Sequence, residues 1–116
     1  MQEKNKRSLG AEKEQLAAEY LKKKGFHILE KNFFCRQGEI DLIAVSPEQE
    51  LVFIEVKYRS DTRNGFPEEA VNKRKQAKIR KISQIYLYQH PYFMPCRYDV
   101  ISILGEEIKQ IENAFS

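Results

Sequence analysis

Two short apolar runs govern what this chain can fold into. Glu39–Val45 and Leu51–Lys57 are rich in β-branched residues, and the five residues Ser46-Pro47-Glu48-Gln49-Glu50 between them break regular structure. Short apolar runs bounded by breakers are strands, and two so close together predict a hairpin. If that loop closes the hairpin, Val45 faces Leu51 and paired residue numbers sum to 96. Asp41 then lies opposite Glu55, and Glu39 opposite Lys57. Residues directly opposite each other share a face, with Cβ atoms roughly 4.5–5.5 Å apart. A register slip of one residue would part the two acids. Leu51 and Phe53 alternate with Glu55 and Lys57 on that face, so the charges are expected in a partly buried cleft.

Paired carboxylates in such a place repel, and burial sharpens the repulsion. A proton, a neighbouring cation or a bound metal must compensate. A hard divalent ion such as Mg²⁺ needs only one or two protein carboxylates, and it can activate water and neutralise charge on a phosphate. A lysine beside it would stabilise the same charge. The plainer alternative is a cross-strand salt-bridge ladder, against which the shared apolar neighbours argue.

The rest of the chain supplies helices and further strands. Ser8 is a suitable N-cap for a helix to about Lys24, stopped by Gly25, with Leu9, Leu16, Ala17, Tyr20 and Leu21 as its apolar side. Phe26–Phe34 leans towards a strand. Tyr58–Phe66 reads as a polar, mobile loop. Asn72 is placed to cap a helix over Lys73–Gln89, with Ile79, Ile82 and Tyr86 on its buried side. Tyr98–Leu104 is another strand, and Ile108–Glu112 a last one, although Ile108, Ile111 and Phe115 also suit a short helix. The order α-β-β-β-α-β, with an extra β, predicts a sheet flanked by helices.

At 116 residues the chain is one domain, residues 1–116. Hydrophobic residues make up 41% and charged ones 32%, which excludes a disordered or membrane-spanning class. The polar stretch Met1–Arg7 has no signal-peptide pattern, so a cytoplasmic location is expected. The 20 basic and 17 acidic residues leave a net charge of +3, in itself a weak pointer to nucleic acid. Their placement says more: Lys73, Arg74, Lys75, Lys78, Arg80 and Lys81 fall within nine residues free of acids. Such a block is either a phosphate-binding footprint or a solvated helix face. Cys35 and Cys96 follow no metal-binding spacing and read as free thiols. His27 and His90 read as structural or surface residues.

Asp41, a 13-residue spacer and Glu55-x-Lys57 resemble the PD-(D/E)xK signature of restriction-endonuclease-like enzymes. A wider set resembles the YraN-like family of small bacterial proteins regarded as candidate endonucleases. It comprises Gly10, Glu14, Ala17, Tyr20-Leu21, Gly25, Asn32, Gly38-Glu-Ile-Asp-Leu-Ile, Val52-Phe-Ile-Glu-Val-Lys, Val71, Lys75-Gln76, Tyr98-Asp-Val and Asn113-Ala-Phe, and so spans nearly the whole chain. The resemblance implies an α/β, restriction-endonuclease-like fold: a central mixed sheet with an αβββαβ core flanked by helices. It also implies Asp41 and Glu55 as metal-binding acids and Lys57 as the signature lysine. Glu14 matches the additional acid of resolvase-like members, with a surface charge as its plainer role. Gln76 matches a helix glutamine that orients water or meets phosphate. Ile40 stands where the signature has proline.

The expected function is therefore a Mg²⁺-dependent endonuclease, with Mn²⁺ as the alternative ion. Asp41, Glu55, Lys57 and Gln76 would be catalytic, and Asp41, Glu55 and Glu14 would hold the metal. Lys73, Arg74, Lys75, Lys78 and Arg59 would contact nucleic acid, DNA in preference to RNA. Phosphate contacts carry no sequence information, which suits a structure-selective, Holliday-junction-resolvase-like enzyme. Duplex cutting would call for a homodimer. The alternatives are a nucleic-acid-binding module without catalysis and a scaffold that docks a partner through Ala114 and Phe115. Asp99 beside Arg97 is expected to be a structural ion pair.

Overall fold

The computed structural model describes the backbone of residues 6–116 and side chains from Leu9 onward. Helix α1 (Lys6–Lys23) precedes strands β1 (His27–Cys35), β2 (Gly38–Val45) and β3 (Leu51–Arg59). A single 3₁₀ turn (Pro67–Ala70) leads into helix α2 (Lys73–Gln89), followed by β4 (Cys96–Leu104) and β5 (Glu107–Phe115). The five strands form one sheet in the order β1-β2-β3-β4-β5. β3 and β4 run parallel and every other neighbouring pair is antiparallel. The sheet is thus mixed, with α2 in the crossover that parallel neighbours require.

Each face has its own helix and its own core. Ala17, Ala18 and Leu21 of α1 pack with Leu42, Ala44, Val52, Ile54, Ile101 and Ile103. Ile79, Ile82 and Tyr86 of α2 pack on the other face with Ile40, Ile43, Leu51, Phe53 and Val100. Fully burying a leucine or isoleucine side chain such as Leu21, Ile79 or Ile82 stabilises the fold by roughly 1.5–3 kcal/mol, so both helices are held chiefly by their apolar stripes. Gly25 ends α1 in a left-handed turn at φ +91°. There Phe26 N–H bonds Leu21 C=O and Gly25 N–H bonds Lys22 C=O, which together satisfy two terminal carbonyls.

Several expectations shift. Helix α1 already runs at Lys6, so Ser8 stands inside it rather than capping it, and the Ser8 side chain lies outside the described residues. Leu16 is 37% exposed while Ala18 is fully buried, because α1 presents its alanines to the sheet. The C-terminal segment is the strand expected there, longer than Ile108–Glu112, and not the alternative helix: β4 would otherwise end the sheet with an unpaired row of backbone groups. Its Ala114 and Phe115 pack into the α2-side core, and Phe115 stacks on Tyr98 at 4.9 Å. No described helix is long and apolar enough to cross a membrane.

Candidate functional site

The β2–β3 ladder has the expected register, from Val45↔Leu51 to Leu42↔Ile54. There it stops. Beyond that point β2 continues only with β1, through Ile40, Glu39 and Gly38, while β3 continues only with β4, as far as Arg59↔Leu104. The sheet forks, and Asp41 and Glu55 are the first residues past the fork. Ile40 and Leu42, two residues apart, accordingly belong to cores on different faces. Asp41 bridges the fork with its side chain, Oδ2 accepting the Val56 N–H at 2.8 Å. Neither of the two expected pairs beyond Leu42↔Ile54 is part of the ladder: Asp41 and Glu55 lie just past its last rung, and Glu39 lies opposite Phe34, exposed, rather than opposite Lys57.

Five charged side chains from four elements converge here. Asp41 and Glu55 are 8% and 3% exposed. Lys57 Nζ on β3 and Lys75 Nζ on α2 lie 3.9 and 3.6 Å from Glu55 Oε2, close enough for charge pairing but too long for a hydrogen bond. Glu55 Oε1 is buried and has no hydrogen-bond partner among the described residues. From α1, the half-buried Glu14 shares a hydrogen bond with the Asp41 carboxyl, and Asn32 of β1 supports it.

Burial dominates the acid–base behaviour. It pushes Glu55 up to about 7, helped by the Asp41 charge and opposed by the ammonium groups of Lys75 and Lys57. Glu14 also rises to about 7, from burial, from the Asp41 charge and from donating its proton to Asp41. Asp41 moves upward too, since burial outweighs the Val56 N–H and the Lys57 charge. Three acids that resist ionisation together, in a cleft, form a charge arrangement typical of functional sites.

Asp41 and Glu55 are the residues that could hold a metal, and the orphaned Glu55 Oε1 is a free oxygen donor for it. Among the described residues no three Asp, Glu, His or Cys side chains are grouped to hold an ion unaided. The pair therefore suits a Mg²⁺-type ion whose remaining ligands are water and substrate oxygens. Beside the fork lies a cleft of about 180 Å³ between α1 and β3, lined by Gly10, Lys13, Glu14, Lys57 and Tyr58. Lys13 Nζ sits 4.3 Å above the Tyr58 ring.

The remaining expected residues lie around this centre. The Gln76 amide donates to Val71 C=O at 3.0 Å, and Gln76 lines a separate hollow with Val100 and Phe115. Arg74, Lys75 and Lys78 line a shallow basic depression of about 350 Å³ at the start of α2. Lys73 is exposed on the same turn. Arg59 lines a hollow with Tyr58, Ser60, Asp61 and Asn64. Sequence reasoning named Asn32 only within the family resemblance, with no role, and missed the Val56 N–H, for which no local pattern speaks. It placed Lys75 beside phosphate but not beside Glu55. Asp99 is fully engaged elsewhere, accepting from Arg97 Nε and Nη2, Gln110 Nε2 and the Asn113 N–H, as expected of a structural pair.

Residues 13–103 match the model of "Uncharacterised protein family UPF0102". A UPF0102 protein of Lachnoclostridium phytofermentans is 47% identical, over 96% of this chain and 95% of the relative. One from Syntrophomonas wolfei is 48% identical over 94% of this chain and 98% of its own. Another, from Desulforamulus reducens, is 41% identical over 94% and 96% respectively.

Proposed function

The chain belongs to the uncharacterised family UPF0102, and we propose that it is a metal-dependent endonuclease that hydrolyses phosphodiester bonds in DNA. The observation that carries this reading is the buried, unpartnered Glu55 Oε1 next to Asp41 at the fork. An unsatisfied carboxylate oxygen in that position costs stability, and a metal ligand role accounts for it. The αβββαβ order with a parallel β3–β4 pair supports the restriction-endonuclease-like, PD-(D/E)xK reading.

Asp41 and Glu55 would hold Mg²⁺, or Mn²⁺, with Glu14 supporting Asp41 from α1. The bound ion would supply an activated water and neutralise charge on the phosphate. Lys57, at the edge of the cleft, would stabilise negative charge as it develops on the scissile group. Gln76 would have to leave Val71 C=O to orient a water. Arg74, Lys78, Lys73 and Arg59 would hold the backbone to either side, which favours selection of DNA shape over sequence, as in a Holliday junction resolvase. A homodimer would place two such sites on a duplex, and a cytoplasmic setting fits this substrate.

One observation favours a second reading, a nucleic-acid-binding module without catalysis. Lys75 already stands where a cation is needed, and among the described residues no third ligand completes a metal cage. Cleavage assays on single-stranded, duplex, flap and four-way DNA, with Mg²⁺, Mn²⁺ or EDTA, separate the two. Metal-dependent cutting should fall at least a hundredfold in Asp41→Asn and Glu55→Ala, as for loss of a main electrostatic element. Retained DNA binding with no cutting in any form would leave the binding module.

A further inference from the structure

Lys75 belongs to two places at once. Its ammonium is 3.6 Å from Glu55 Oε2, and the same side chain lines the basic depression with Arg74 and Lys78. Its backbone is anchored, since the Lys75 N–H donates to the Asn72 side chain at 2.9 Å in the first turn of α2. Its side chain is not. It makes no close hydrogen bond to Glu55, is 32% exposed, and ends a flexible four-carbon stem.

We propose that Lys75 exchanges partners: it stands in for the cation at Glu55 while the site is empty, and moves to a DNA phosphate when a divalent ion arrives. The inference rests on the metal-dependent reading above. A divalent ion at Glu55 repels both lysines near that carboxylate, and Lys75, the nearer of the two, is the one with a second place to go, the depression at the start of α2. Lys75 therefore competes with the ion when DNA is absent. Once displaced, it adds one positive charge to the depression where the phosphate backbone lies. Ion and DNA then each promote binding of the other, as linkage requires. Lys57 cannot take this part, since it lies on β3 and lines the α1 cleft rather than the depression.

The test uses the full chain with Lys75→Met and Lys75→Arg. Mn²⁺ affinity is measured calorimetrically without DNA, and the salt dependence of binding to a labelled four-way DNA is measured in Ca²⁺ and in EDTA. Lys75→Met should bind Mn²⁺ roughly tenfold more tightly, and Lys75→Arg should stay near wild type. In Ca²⁺ the slope of log affinity against log salt should be smaller by about 1 for Lys75→Met, the loss of one phosphate contact. In EDTA the slope should match wild type, because there Lys75 serves Glu55. Unchanged or weaker Mn²⁺ binding by Lys75→Met would overturn the exchange, as would an equal loss of slope in both media. A wild type whose Mn²⁺ uptake is absent or indifferent to Asp41→Asn would remove the metal-dependent reading itself, and the exchange with it.

Discussion

Glu55 is the residue on which the chemistry and the stability of this protein meet. Its carboxyl is 3% exposed and titrates near 7 instead of 4.5, because burial and the Asp41 charge outweigh two lysines. The folded chain therefore keeps this proton where the unfolded chain loses it. The associated stability is complete below about pH 4.5, declines as pH rises, and is gone above about 7. Glu14, which also rises to about 7, adds in the same direction. Without divalent ions the melting temperature should be lower at pH 8 than at pH 5. Glu55→Gln, which cannot ionise, should raise it at pH 8 by roughly 4 °C for each kcal/mol recovered, and should flatten the profile. Mg²⁺ at pH 8 should raise the wild-type value and leave Glu55→Gln nearly unchanged. Thermal melts across this range check all three, and a wild-type profile that rises from pH 5 to 8 would contradict the burial assigned to Glu55.

At the scale of elements, α2 carries the most functional weight on the least apolar sequence. Its first turn is held by Asn72, whose side chain accepts the Lys75 N–H while its carbonyl accepts the Gln76 N–H at 2.8 Å. Asn72→Ala should cost about 1 kcal/mol and fray the turn that presents Lys75, whereas Asn72→Asp should keep the cap. Denaturant unfolding measures the first effect, and faster amide exchange at Lys75 and Gln76 the second. This cap was legible in the sequence, as was the hairpin register, because both depend on neighbours close along the chain. The fork was not. Where β2 leaves β3 is decided by pairing of Ile40 and Glu39 with Phe33 and Phe34, and alternation within one strand carries no trace of it. The last strand was ambiguous for a related reason. Ile108, Ile111 and Phe115 fit a helical spacing, yet in β5 Ile108 packs against the α1-side core while Ile111 and Phe115 pack against the α2-side core, and the strand is irregular opposite Tyr98–Val100, where Asn113 turns to φ +49°. Lys75 reaching Glu55 depends on the path of residues 60–72, which no local rule gives.

Across the whole molecule, the net charge of +3 matters less than its placement. Arg74, Lys75 and Lys78 lie at the forked end of the sheet, and Lys78 packs over Gly38 at the β1–β2 turn. The other end is different. There Gly25, just past the C-terminus of α1, packs against Pro47 in the β2–β3 turn, and Lys22 and Lys23 are exposed on the last turn of the helix. From Glu14 to Lys23 the helix rises roughly 13 Å, more than a Debye length in physiological salt, so the two basic groups act on a ligand separately. Arg74→Glu with Lys78→Glu and Lys22→Glu with Lys23→Glu change the net charge equally. If nucleic acid docks at the fork, the first pair should weaken DNA binding at least tenfold and reduce its salt slope by about 2. The second pair should stay within about twofold of wild type. Equal losses from both would mean that DNA is held by overall charge, and would detach the basic depression from the acidic pair. Binding isotherms at several salt concentrations decide this before any cleavage is measured, since the approach of the backbone to the fork is a condition that hydrolysis and simple binding share.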